Sequence, residues 1–187
     1  MLKKFYPYEY VDSVFCLDYV KLYNNGFRGL IFDIDNTLVH HGDDSTKEID
    51  ELFLIIQNIG FKTLLLSNNN EKRIKRFLKN IDSIYICDAE KPKTDNYLKA
   101  VQMMNIKKEE ALFIGDQVFT DILGANKSGI ANILVKFIKA PCETKIGKRR
   151  QLENCILKIY EKNKKYTHRL GDITIKEEKL ENALDKK

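Results

Sequence analysis

Residues 29–39 read Gly-Leu-Ile-Phe-Asp-Ile-Asp-Asn-Thr-Leu-Val. An apolar block runs directly into two carboxylates, an amide and a hydroxyl. A short continuous apolar run is the mark of a strand covered on both faces, as parallel strands are. Outward from this stretch the pattern recurs. Further strands are predicted over 62–66, 83–87, 111–115 and 132–135, with the first placed at 29–33. Between them, residues 45–59, 71–80, 94–105 and 120–128 carry apolar side chains at three- and four-residue spacing, the period of amphipathic helices. Alternation of this kind predicts an α/β fold, a parallel sheet flanked by helices. The punctuation agrees: Gly60 stands where a helix stops, Asn69 or Asn70 can cap the next, and Thr94 follows Pro92 where a third begins. A further helix is predicted over 151–165, and residues 172–187 read as a solvated terminal helix or a frayed tail.

The chain has 187 residues and a formal charge of +5, a length that predicts one domain. That charge is local. Residues 1–135 hold 17 basic and 19 acidic groups, residues 136–169 hold 11 and 3, and residues 170–187 hold 4 and 5. The expected organisation is therefore one unit over 1–169, with a motif-bearing core at 29–135, a basic segment at 136–169 and a charged tail at 170–187. The apolar runs are strand-sized, far short of the roughly 18 residues of a membrane span, and the N-terminus lacks the apolar region of a signal peptide. A cytoplasmic protein is expected, with peripheral attachment at the inner membrane face as a further expectation. Cys16, Cys87, Cys142 and Cys155 lie too far apart for a zinc pair and read as reduced thiols.

In open parallel sheets ligands bind beyond the carboxyl ends of the strands. There the predicted strands end in Asp33-Ile34-Asp35-Asn36-Thr37, in Ser67-Asn68-Asn69-Asn70, and in Gly115-Asp116-Gln117 with Asp121 following, while Lys91-Pro92 comes after the third. Asp33 and Asp35, two apart on extended chain, would face the same way and repel each other. With Asp116 and Asp121 arriving nearby, a hard divalent cation bound by oxygens is the natural counter-charge, and Mg²⁺ suits few carboxylates plus substrate phosphate. Carboxylates, a cation and a lysine are what phosphoryl transfer needs. Asp33 would attack phosphorus and Asp35 would serve as general acid and base. Lys91, Ser67 and Asn68, with nearby backbone N–H groups, would hold the phosphate.

The segments DIDNT, LLLSNN, KP and GDQVFTD, in this order, resemble the motifs of the haloacid dehalogenase superfamily of aspartate-nucleophile phosphatases. The resemblance at superfamily level covers residues 29–135. It implies a Rossmann-like fold and Mg²⁺ held by Asp33, the backbone carbonyl of Asp35 and Asp116, with Asp121 nearby through water. The chain to about residue 155, from PYEYVDSVFCLDYVKLYNNGFRGLIFDIDNTLV to TKIGKRRQLE, is similar to the YqeG-type members of subfamily IIIA. That family is in turn similar to phosphatidylglycerophosphate phosphatases, which implies a phosphomonoester in phospholipid synthesis as substrate. The charged tail has no place in the pattern.

Between Val39 and Ser67 lie 27 residues, room for one helix and no inserted cap domain. An open site favours a large or surface-bound phosphomonoester, a lipid phosphate among them. Two other functions stay open at this stage. One is a phosphatase of a soluble nucleotide or sugar phosphate; the other is a nucleic-acid or ribosome-binding module using the basic segment, against which the intact acidic set argues. His40 and His41 read as exposed loop residues. The run 145–150, KIGKRR, is either a solvated helix start or a contact for anionic membrane.

Overall fold

The computed structural model describes residues 2–138 and 147–175. Six parallel strands form one sheet in the order β1-β6-β5-β2-β3-β4. They are β1 (Glu9–Val11), β2 (Gly29–Phe32), β3 (Lys62–Leu66), β4 (Ile84–Ile86), β5 (Ala111–Gly115) and β6 (Ala131–Val135). The chain runs outward from β2 through β3 to β4, then returns to the opposite side of β2 for β5 and β6. The direction of winding therefore reverses between β2 and β5, which opens a crevice at their carboxyl ends. Register pairs Phe32 with Ile114 there, and the Asp33 N–H donates to the Ile114 carbonyl at 2.9 Å. The first residues past each strand are set side by side.

Strand side chains alternate between two apolar layers. Leu30, Phe32, Leu65, Leu112, Ile114 and Ile133 pack under α1 (Tyr19–Asn24), α2 (Lys47–Ile59) and α3 (Glu71–Phe77). Ile31, Leu64, Leu66 and Phe113 face α4 (Asp95–Met103) and α5 (Leu123–Ser128). On that second face α6 (Lys148–Glu161) sets Ile156, Leu157 and Tyr160 against Leu134, Val118, Ile122 and Tyr6. Both faces of the central strands are covered, which is why they read as unbroken apolar runs.

Local chemistry fixes the ends. Gly60 adopts φ +113° after α2, and Asn70 caps α3 by accepting from the Arg73 N–H at 3.0 Å, which leaves Asn69 free for another task. Thr94 stands at the start of α4 without a side-chain capping bond. The stretch predicted as one helix over 120–128 opens instead as a π turn, Val118–Ile122, before α5. The last helix starts three residues before the predicted position and ends four before it. Strand β1 is an addition to the predicted sheet; it pairs with β6 at the edge, Glu9 opposite Ile133. Of the charged tail, residues 172–175 run beside residues 16–18, with the Ile175 N–H on the Cys16 carbonyl at 2.8 Å; residues 176–187 lie outside the described residues. Cys16, Cys87 and Cys155 are free thiols, and Cys142 lies outside the described residues. Among the described residues no helix is long and apolar enough to cross a membrane. The connection from Val39 to Ser67 holds only α2 and β3, so no cap domain is inserted there.

Candidate active site

Asp33 follows β2, Asp116 follows β5, and Asp121 is carried on the π turn. One oxygen from each of these buried carboxylates lies within 4.8 Å of the others. The wider turn matters for this placement. Both Asp121 and Ile122 donate their N–H to the Gln117 carbonyl, at 3.0 and 3.1 Å, and the Gln117 N–H in turn donates to Asp121 Oδ2 at 2.9 Å. A π turn of this kind re-aims one side chain without ending the helix. Gly115 makes the room: a Cβ there would stand 2.7 Å from Asp121 Cγ.

Lys91 supplies the central cation. Its Nζ donates to Asp33 Oδ1 at 2.6 Å and to Asp121 Oδ1 at 2.7 Å, with 3% of the side chain exposed. Asn68 seats it, since Asn68 Oδ1 accepts from the Lys91 backbone N–H at 2.8 Å. Lys93 points elsewhere and pairs with Glu90 at 3.0 Å. Thr37 donates towards Asp33 and Asp116, each at 3.4 Å. Arg150, from α6, is ion-paired with Asp116 Oδ2.

Three carboxylates thus face two cations in a buried space. Burial, with Asp121 adding repulsion, pushes the Asp33 carboxyl up to about 6 although Lys91 opposes it. Burial, with Asp121 and Asp33 adding repulsion, pushes Asp116 up to about 8 although Arg150 opposes it. Lys91 is held charged by Asp121 and Asp33 against its own burial. An all-oxygen donor set with unbalanced negative charge fits a hard divalent cation held by Asp33, Asp116 and Asp121.

Asp35 departs from the expectation that it faces with Asp33. The strand ends at Phe32, and the chain turns at Asn36, whose φ is +63°, so alternation no longer applies. The Asp35 carboxylate instead accepts from the Gly42 N–H at 3.1 Å, Asn69 Nδ2 at 2.7 Å and Arg73 Nη2 at 2.9 Å, and His41 Nδ1 lies 3.3 Å away. Burial raises its pKa, yet these hydrogen bonds and Arg73 together hold it below the usual carboxylate range. Its side chain lies outside the three-carboxylate group, so a cation could use only its backbone. Ser67 is buried and accepts from the Asn69 N–H at 3.2 Å and Asn69 Nδ2 at 2.9 Å. Asn69 therefore joins Ser67 to Asp35.

His41 is exposed as expected, whereas His40 is half-buried with Nε2 unpartnered, because Leu38 and Val39 beside it are drawn into the core. Of the basic run, residues 145 and 146 lie outside the described residues and Arg150 turns inward, so the run is no uniform surface patch. Arg73, Arg150, Asn69 and Thr37 carry parts that the sequence reading did not assign. For Arg150 the one available signal was Glu153 at the i,i+3 spacing of a helical ion pair.

Residues 42–129 match the model of the haloacid dehalogenase-like hydrolases. The chain is 40% identical over 137 residues to the probable phosphatase YqeG of Bacillus subtilis, covering 72% of this chain and 80% of that protein. It is 30% identical over 95 residues to the glyceraldehyde 3-phosphate phosphatase of Pyrococcus furiosus, covering 46% of this chain and 40% of that one. Among solved structures, NagD from Escherichia coli K-12 superposes with a TM-score of 0.51 at 13% identity, over 65% of this chain and 94% of NagD. That likeness shares the fold alone.

Proposed function

The chain belongs to the haloacid dehalogenase-like hydrolases, and from that premise we propose that it is a Mg²⁺-dependent phosphomonoesterase working through an aspartyl-phosphate on Asp33. The observation that carries this reading is Lys91 Nζ lying between Asp33 and Asp121, at 2.6 and 2.7 Å, with Asp116 completing the set. Asp33, Asp116 and the Asp35 backbone would hold the cation, with Asp121 beside them. The bound cation would supply screening of phosphate charge. Lys91 adds a second positive charge where a phosphate must approach an anionic nucleophile.

The protein's own groups account for the rest. An Asp33 oxygen forms the bond to phosphorus as the bond to the leaving alkoxide breaks, and Asp35 gives that alkoxide a proton. Water then loses a proton to Asp35 and attacks the same phosphorus, releasing inorganic phosphate and restoring the Asp33 carboxylate. In the arrangement seen here Asp35 is held as a carboxylate, ready to accept a proton. To donate one it must first be drawn off Arg73 and Asn69. Ser67 and the N–H groups after β3 would receive phosphate oxygens, with Asn68 acting through the seating of Lys91.

The favoured substrate is phosphatidylglycerophosphate. The similarity to the YqeG-type branch supports a phosphatase, and two features support a bulky, partly apolar leaving group. Among the described residues no cap is inserted at this edge. Beside the loop after Asp35 opens an apolar cleft of about 560 Å³, lined by Phe15, Leu38, Val39, Ile49, Leu52 and Ile55 among others. Purified protein should hydrolyse p-nitrophenyl phosphate with Mg²⁺ and show a higher kcat/KM on phosphatidylglycerophosphate in mixed micelles than on soluble nucleotide or sugar phosphates. Asp33→Asn, folded as judged by circular dichroism, should lose turnover on every substrate; retained turnover would refute the nucleophile.

A further inference from the structure

Helix α6 lies outside the strand-and-helix units that bear the motifs, yet it reaches the centre of the site. Arg150 grips Asp116 at two places, its side chain at Oδ2 and, through Nη1, its backbone carbonyl at 2.7 Å. Holding both ends of one residue fixes the torsions between them. The other oxygen, Oδ1, lies 3.4 Å from Thr37 Oγ1, which also contacts Asp33. Arg150 is itself fixed. Its Nη1 donates to Glu153 Oε2 at 2.9 Å, and its guanidinium lies 4.9 Å from the Phe137 ring centre.

Glu153 extends the connection. Only 3% of its side chain is exposed, and its Oε1 accepts from the Phe119 N–H at 3.3 Å. Phe119 belongs to the π turn that carries Asp121. One ion pair on α6 therefore touches the two segments that deliver Asp116 and Asp121. Lys148 and Arg149, on the same turn of helix, are exposed, whereas Arg150 is partly buried. A charge pair drawn this far out of water costs desolvation, and packing alone does not require it. The helix has an apolar anchor of its own in Ile156, Leu157 and Tyr160.

We propose that Arg150 and Glu153 are positioning residues for Asp116 and Asp121, so that α6 sets the affinity of the divalent-cation site. The inference rests on the phosphohydrolase reading above. Groups that orient metal ligands typically change metal affinity by about 10–100-fold when removed. The direction is diagnostic here. Losing a positive charge beside a cation site should, by Coulomb's law alone, tighten cation binding; losing a positioning group should weaken it.

The test is calorimetric titration of Mg²⁺ into the metal-free full-length protein, with melting in EDTA measured alongside. Arg150→Gln is expected to weaken Mg²⁺ binding about 10-fold or more. Arg150→Lys should weaken it less, because an ammonium keeps the charge but cannot span the carboxylate and the carbonyl together. Glu153→Gln should fall on the same side. A pair that only docked the helix would lower the EDTA melting temperature and leave the Mg²⁺ Kd of the folded protein unchanged, and an unchanged or tighter Kd in Arg150→Gln overturns the proposal. If Arg150→Gln does not fold, Arg150→Lys and Glu153→Gln decide by the same criterion. Asp116→Asn separates the two levels. Wild-type binding that Asp116→Asn abolishes, beside wild-type affinity in the α6 variants, refutes the positioning role alone. A wild type that binds no Mg²⁺ refutes the cation site and this inference with it.

Discussion

Replacing Lys91 by Met would leave Asp33 and Asp121 buried with no ammonium between them. Breaking one side of a buried ionic group costs about 3–5 kcal/mol, and urea unfolding at pH 7.5 in EDTA should show a loss of that order. The loss should shrink at pH 5, because there Asp33 is already largely protonated in the parent protein, whose Asp33 pKa is about 6 with Lys91 holding it down, and removing Lys91 only raises it further. Asp33 and Asp116 also set the pH response of the metal-free protein. Their unfolded forms release protons near pH 4, their folded forms only at about 6 and about 8, so over that window the unfolded chain binds fewer protons and stability falls as pH rises. Asp35, held low, acts in the opposite sense and is destabilising only under stronger acid. Melting curves in EDTA should accordingly show a contribution from this site that declines from about pH 5 to pH 8. Mg²⁺ should abolish that decline, and its binding should release protons, seen as heats that depend on the buffer's ionisation enthalpy.

At the level of elements, what could be read depended on whether local sequence decided the outcome. The four central strands were legible because Leu30–Phe32, Leu64–Leu66, Leu112–Ile114 and Ile133–Val135 are buried on both faces and so are apolar at every position, and the edge strand β4 was legible from the β-branched and aromatic run Ile84-Tyr85-Ile86 although Ile84 is exposed. The side chains just beyond them were legible for the same reason, since a carboxylate after such a run has only the sheet edge to occupy. Strand β1 was not, because Glu9–Val11 is three residues long, contains a carboxylate, and is a strand only through its pairing with β6. The π turn at Val118–Ile122 was hidden as well: its amphipathic spacing suits an ordinary helix, and the wider turn follows from Gly115 letting Asp121 close in. Arg150 was hidden in a run of like charges because Asp116, the partner that brings it into the site, is 34 residues earlier. The Gly115 reading is testable. Gly115→Ala should force Asp121 off Lys91, with overpacking of about 1–3 kcal/mol in unfolding measurements and a weaker Mg²⁺ Kd; an unaltered Kd would show that the turn has slack.

For the whole molecule, the basic segment resolves into two parts with different tasks. Arg150 is internal, while Lys148 and Arg149 remain on the surface of α6. Reversing Lys148 and Arg149 to Glu should reduce co-sedimentation with vesicles rich in phosphatidylglycerol while leaving p-nitrophenyl phosphate turnover near wild type; undiminished sedimentation would assign those charges to solvation alone. The cleft makes a second prediction, that Ile55→Glu lowers kcat/KM for the lipid more than for p-nitrophenyl phosphate. The pairing of β1 with β6 sets residue 9 beside residue 133, and α6 closes on Asp116 from later still. During synthesis, a chain emerging at about 5–20 residues per second exposes Asp33 and Lys91 seconds before the last wall of their site exists. Asp33 is thus translated long before the helix that grips Asp116, and a ribosome stalled between residues 135 and 148 would carry every motif of the enzyme with the proposed cation site still unfinished.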